Sequence, residues 1–219
     1  FAQWGIDLLG PFPRVSGRYG HLVVAIDDFT KWMEAEPLAT IFGRAVQKFF
    51  WKNIVCRFGI PHVLISDNGR QFSENPFRSW CAELGISQHF ISVDHPQTNG
   101  QVENVNRTIL QGLKTRLELT QSNWLEEFPS VLWAYRTTPR TATHETPFSL
   151  IYGAEAMVPA EVGFPSPRTQ NFVTAANEEE LWCNLNMLED KREEAAIRMV
   201  RYKSQLARYH NAKVRTTQY

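Results

Sequence analysis

Long apolar runs are what this 219-residue chain most clearly lacks. No segment approaches the about 18–20 consecutive apolar residues of a membrane span, and no signal-peptide pattern opens the chain. The expectation is a soluble protein with no membrane partner. Cysteine is scarce as well: Cys56, Cys81 and Cys183 form an odd, widely separated set, which points to reduced thiols rather than a disulfide framework. His62, His89, His95 and His144 stand at no metal-ligand spacing from those cysteines, so the sequence carries no zinc module. Net charge is absent too, with 23 basic against 23 acidic side chains. The balance hides an asymmetry, because residues 191–219 hold eight basic and two acidic side chains while residues 1–190 carry a net −6. A tail of that kind either lies along nucleic-acid phosphates or forms a solvated helix face. Internal repeats and low-complexity tracts do not occur.

What the chain does have is carboxylates set in apolar words. Val63-Leu64-Ile65 runs into Ser66-Asp67-Asn68-Gly69, the pattern of a buried strand stopping at a turn, so Asp67 is expected at a strand's carboxyl end, where α/β sheets hold ligands. Asp7 interrupts the short strand Trp4 to Leu9, closed by Gly10-Pro11, and a lone charge there is costly unless something pairs with it. Thr98-Asn99-Gly100-Gln101 has the form of a capping box, which puts Glu103 in the first turns of a helix. On that helix Val102, Val105, Ile109, Leu113 and Leu117 form one apolar stripe, and Arg107 and Lys114 share the face of Glu103. Three convergent carboxylates suit two hard cations, Mg²⁺ or Mn²⁺, able to act on a phosphodiester, with the neighbouring cations holding backbone phosphates.

Taken singly, each residue has a plainer reading. Asp7 reads equally as a strand-end acid, Asp67 as the opener of an Asp-Asn-Gly turn, Glu103 as a first-turn acid favoured by the helix dipole, and Arg107 and Lys114 as solvated side chains. Gln97 and Asn99, in the loop before the helix, suit either DNA contact or turn duty. Asp27, Asp28, Glu34 and Glu36 are expected at the turn and exposed face of a hairpin. The tryptophans Trp32, Trp51, Trp80, Trp124 and Trp133 fall within apolar patterns and are expected in the core rather than as stacking platforms.

In their order, WGIDLLGPFP, GHLVVAIDDFTKWMEAEPL, FFWKNIVCRFGIP, ISDNGRQF, HPQTNGQVENVNR, VLWAYRTT and ETPFSLIYG resemble the integrase catalytic cores of retroviruses and, more closely, of gypsy-type long-terminal-repeat retrotransposons. The resemblance maps Asp7, Asp67 and Glu103 onto that family's Asp, Asp, Glu triad, with 35 residues between the last two. It implies an α/β, RNase H-like fold, a mixed five-stranded sheet flanked by helices. It also implies an enzyme that transfers element DNA strands into target DNA, with 3′-end processing as an accompanying step. Implied with these are two Mg²⁺ or Mn²⁺ ions, double-stranded DNA as partner, a homo-oligomer, synthesis within a cytoplasmic polyprotein and action in the nucleus. The chain is accordingly read as a polyprotein segment lacking the family's terminal modules. Arg70 stands where the family often has a small or hydroxyl residue, and reads either as a DNA-clamping cation beside the proposed metals or as the mark of a decayed copy. Asn104 and Val105 also depart from the pattern, and none of the three removes a carboxylate. Two alternatives share the same residues: an RNase H-like nuclease that uses only water, and a non-catalytic remnant that binds DNA.

The coarse order is strands near 4–9, 21–27 and 32–37, a helix over 43–57 with Phe42, Val46, Phe49 and Phe50 inward, a strand at 63–66, a helix near 76–84 and a strand near 87–91. The Glu103 helix is expected to run to about 119. A further helix through Leu125, Phe128, Leu132 and Tyr135 is begun or kinked by Pro129. The catalytic core is assigned to 1–157 and a linker to 158–172. An amphipathic extension with the basic tail follows at 173–219, one long helix whose near-heptad seam Leu181, Leu185, Leu188, Ala195, Met199, Tyr202 and Leu206 is broken at Arg192.

Overall fold

A computed structural model describes residues 1–14, 19–90, 106–117, 123–157, 164, 170 and 173–213, with side chains to 209. These residues fall into two compact units, Phe1–Tyr135 and Arg136–Tyr219. Nearly all of the expected linker at 158–172 lies outside the described residues.

The first unit is built on a mixed five-stranded sheet. Strands β1 (Gln3–Leu9), β2 (His21–Asp27) and β3 (Met33–Leu38) form an antiparallel meander, while β4 (Val63–Ser66) and β5 (Ser87–Phe90) are parallel additions. The order is β3-β2-β1-β4-β5, with β1 central. Parallel pairing demands a crossover. Between β3 and β4 it is α1 (Gly43–Phe50), continued by a π-helical turn, Trp51–Val55, and a last α turn, Cys56–Phe58. Between β4 and β5 it is α2 (Arg70–Ser73) and α3 (Phe77–Glu83). Helix α4 (106–117) follows, then α5 (Trp124–Thr137).

Both faces of the sheet are covered, and β2 accordingly reads as a continuous apolar run, buried from Leu22 to Asp27. On one face Leu9, Leu22, Val24, Ile26 and Met33 pack against Ile109 and Leu113 of α4 and Trp124, Phe128, Val131 and Tyr135 of α5. The alternation of β1 puts Asp7 on this same face. Helices α4 and α5 approach closely at Gly112, where an added Cβ would meet Val131 Cγ1 at 2.9 Å. The other aromatic layer joins Phe50, Phe72, Phe77 and Trp80 edge to face or tilted, with centroids 5.8–6.3 Å apart.

Several local expectations give way to tertiary context. Phe42 is 72% exposed because it precedes α1 as its N-cap residue, outside the inward face made by Val46, Phe49 and Phe50. Asp27 and Glu34 are buried rather than on an exposed hairpin face. Asp27 Oδ2 accepts from Thr30 N and Thr30 Oγ1 at 2.8 and 2.7 Å, closing the β2–β3 turn, and Glu34 accepts from Trp32 Nε1 and from Arg57. Trp32 and Trp124 are core residues, but Trp51 is half exposed. Pro129 lies inside α5 and does not begin it. Its start is set by Asn123, whose Oδ1 accepts from Leu125 N and Glu126 N, each at 3.1 Å.

The second unit contains α6 (Pro147–Tyr152), α7 (Thr174–Asn186) and α8 (Leu188–Lys213). Helix α6 is defined at both ends: Thr146 Oγ1 accepts from Ser149 N at 2.9 Å, Pro147 opens it, and Gly153 at φ +80° closes it. The expected single long helix is two, divided at Met187. Arg192, which breaks the heptad seam, donates from Nε to Leu150 O at 2.8 Å and from Nη2 to Ile151 O at 3.4 Å. A cation at those last carbonyls of α6 is favoured by the helix dipole. Lys191 Nζ reaches Gly153 O at 3.0 Å, and Arg198 joins Thr143 O and the Glu145 carboxylate at 2.6 and 3.1 Å.

Candidate active site

The parallel pairing of β1 with β4 runs Gln3↔Val63, Trp4↔Leu64, Gly5↔Ile65. Asp7 lies two residues beyond the last of these pairs, still within β1, and Asp67 lies two residues beyond it on the other segment, one residue past β4, so both stand toward the carboxyl-end edge of this parallel pair. Asp7 is half-buried: its Oδ1 accepts from Leu8 N at 2.7 Å and its Oδ2 from Asn106 Nδ2 at 2.5 Å. The charge is thus matched by donors, as an acid in an apolar strand requires. Asp67 is exposed, and its Oδ1 accepts from Gly69 N at 3.0 Å, the Asp-Asn-Gly turn expected of it. A Cβ on residue 69 would meet only side-chain atoms, those of Gln71 and, at 2.9 Å, Asp67 Oδ1, so a larger residue there would push on the Asp67 carboxylate.

The helix that follows the sheet is tied to this edge. Asn106 opens the described part of α4 and is buried. Beyond it, Arg107, Leu110, Gln111 and Lys114 line a shallow groove of about 400 Å³ on the same helix, so the two cations expected to share a face do so. Arg70 begins α2, three residues after Asp67, and its Nε donates to Glu74 Oε1 at 2.8 Å. That hydrogen bond to the Glu74 carboxylate, then its charge, raises the Arg70 pKa above its ordinary value. Glu103, Gln97 and Asn99 lie outside the described residues. Among the described residues no group of three or more His, Cys, Asp or Glu side chains is placed to hold a metal. Carboxylate oxygens, such as those of Asp7 and Asp67, are the hard donors that Mg²⁺ or Mn²⁺ prefers. The residue missed from sequence is Asn106. Its signal was a polar side chain three and seven positions before Ile109 and Leu113, on the apolar stripe itself.

Residues 1–96, which carry all five strands, both aspartates and the crossover helices, match the integrase core domain family. The chain carries an integrase core domain. Curated relatives of this core are retroviral polyproteins. The Gag-Pol polyprotein of feline leukemia virus is 39% identical over 154 residues, 69% of this chain and 9% of that protein. The Gag-Pol polyprotein of woolly monkey sarcoma virus is 39% identical over 153 residues, 68% of this chain and 9% of that one. The Pol polyprotein of radiation murine leukemia virus (strain Kaplan) is 35% identical over 175 residues, 79% of this chain and 29% of that one. The chain thus spans from about a tenth to three-tenths of the length of these relatives. Among solved structures, the HTLV-2 integrase catalytic core domain in complex with magnesium, in a trimeric form, superposes with TM-score 0.55 at 18% identity, covering 67% of this chain and 93% of that one. A simian T-cell lymphotropic virus intasome in complex with the PP2A regulatory subunit B56 gamma gives TM-score 0.60 at 18% identity, covering 72% and 56%. At that identity the structural likeness speaks to the fold of the integrase core, a mixed five-stranded sheet flanked by helices.

Proposed function

We propose that this integrase core is the catalytic part of a metal-dependent polynucleotidyl transferase that joins the DNA ends of a gypsy-type retroelement to target DNA, with 3′-end processing as an accompanying hydrolysis. The observation that supports the reading is the parallel pairing of β1, which holds Asp7, with β4, which ends one residue before Asp67, together with the hydrogen bond from Asn106 of α4 to Asp7. Glu103 completes the triad in this proposal. It precedes Asn106 by three residues in sequence.

Asp7, Asp67 and Glu103 would hold two Mg²⁺ or Mn²⁺ ions, which supply charge stabilisation at the attacked phosphodiester and activate the attacking oxygen. The magnesium in the related HTLV-2 structure supports this choice. The chain's own work is positional. Leu8 N and Asn106 Nδ2 fix the Asp7 carboxylate, Gly69 N fixes that of Asp67, and the Arg107–Lys114 groove offers two cations to phosphates of double-stranded DNA. Gln97, Asn99 and Arg70 are assigned further DNA contacts. A homo-oligomer, synthesis within a cytoplasmic polyprotein and action in the nucleus belong to the same proposal, supported by the trimeric and intasome forms of the structural relatives and by the polyprotein relatives. So do the limits 1–157 for the core, 158–172 for the linker and 173–219 for the extension.

The deciding experiment is a disintegration assay, the rejoining of a branched DNA substrate in Mn²⁺ and in Mg²⁺, with Asp67→Asn and Glu103→Gln alongside. Joined product that requires metal and disappears in both variants supports transferase chemistry at the triad. Hydrolysis without joining returns the water-only nuclease, and a folded but inert chain returns the remnant.

A further inference from the structure

Asn106 is 7% exposed and shares the inward face of α4 with Ile109 and Leu113. Its Nδ2 donates to Asp7 Oδ2 at 2.5 Å across a sequence separation of 99 residues. Chemistry fixes the orientation of the amide, since an ionised carboxylate only accepts and the NH₂ group must face it. The other amide atom, Oδ1, is buried with no hydrogen-bond partner among the described residues. Burying an oxygen in that state is costly, and an apolar side chain of the same size would fill the site without that penalty. Asparagine is therefore poorly explained by packing. The Asp7 carboxylate, by contrast, is gripped at both oxygens, by Leu8 N on Oδ1 and by Asn106 on Oδ2, which fixes the plane of the group.

We propose that Asn106 is a positioning residue for Asp7, orienting its carboxylate for a divalent cation. The inference rests on the reading of Asp7 as a cation-holding residue. Hydrogen-bond partners behind a ligand orient it, and their removal weakens metal binding by about ten- to a hundredfold. The test is Mn²⁺ binding to the full 219-residue chain, followed by loss of the free-ion electron paramagnetic resonance signal, with thermal unfolding measured in parallel. Asn106→Leu keeps the volume and removes the donor; Asn106→Ala removes both; Asp7→Asn tests the underlying site. The expected result is a loss of about ten- to a hundredfold in Mn²⁺ affinity for both Asn106 variants, each retaining a cooperative thermal transition. Asn106→Leu binding Mn²⁺ as tightly as the wild type, while Asp7→Asn does not bind, overturns the positioning role and leaves the Asp7 reading standing. Equal binding by the wild type and Asp7→Asn overturns both.

Discussion

In the first unit β2 buries six consecutive residues, Leu22 to Asp27, whereas along α8 of the second unit only Leu188 and Ala195 are buried among the residues with described side chains. The sheet is held by apolar area removed from water, and its acids Asp7, Asp27 and Glu34 are each met by hydrogen-bond donors. The helices of the second unit are held to the Thr143–Gly153 segment largely by cations reaching main-chain oxygens: Lys191 to Gly153, Arg192 to Leu150 and Ile151, Arg198 to Thr143. Leu181, Leu185, Tyr202 and Leu206 of the near-heptad seam stay exposed. A rigid, non-local sheet can hold two carboxylates toward one edge. A helix pinned at a few carbonyls can hold its own place but carries no comparable site.

The contrast can be broken most severely at the carboxylates. Asp7→Asn and Glu103→Gln are each expected to lower strand joining by about 10³-fold or more, since removing one member of a group that acts as a unit costs nearly the whole effect. The disintegration assay reads that loss, and an unchanged thermal transition shows that it is chemical rather than structural. Phe50→Ala comes next. Phe50 is fully buried against Phe77 and Trp80, and its truncation is expected to cost about 3–5 kcal/mol by denaturant unfolding of the first unit. Arg192→Met should cost about 1–3 kcal/mol and act locally. Amide exchange should speed up along α8 around residue 192 while β2 stays protected; loss of protection in β2 would contradict the separation of the two units.

The smallest expected effect concerns the thiols. Burial pushes Cys81 up to about 12 from 9.0, while Cys56 and Cys183 are exposed. In the native protein at neutral pH, Cys56 and Cys183 should be labelled by a disulfide reagent and Cys81 only after unfolding. Because the folded state raises this pKa, the folded protein binds the proton more tightly. The stability from Cys81 is therefore fully present below pH 9.0 and is lost as pH climbs from there to about 12. Stability rising with pH across that window would contradict a buried, neutral Cys81.

Strands β1, β2 and β4 were legible because each is a short, largely apolar run ended by a turn signal, whereas β3 and β5, MEAEPL and SQHF, are more polar. Val63–Ser66 falls where the Val-Leu-Ile run ends at Ser-Asp-Asn-Gly, and the two aspartates were legible because each interrupts or ends such a run. Asn106 was not picked out, since its meaning depends on a partner 99 residues away. Glu34 was read as exposed because period-2 alternation does not say that Arg57 and Trp32 will close over it. The heptad break at Arg192 was visible, but its cause, the carbonyl end of α6, lay in another segment.

By itself the sequence determined where the chain turns, which stripes are apolar, and which acids interrupt or end an apolar run. These are local facts, written in side-chain size, φ preference and periodicity. Tertiary structure alone decided the parallel pairing of β1 with β4, the amide that grips Asp7, and the division of the expected C-terminal helix at Met187. Each of these depends on groups far apart in the chain, and the free energy that selects them appears only when the burial of one segment creates a partner for another.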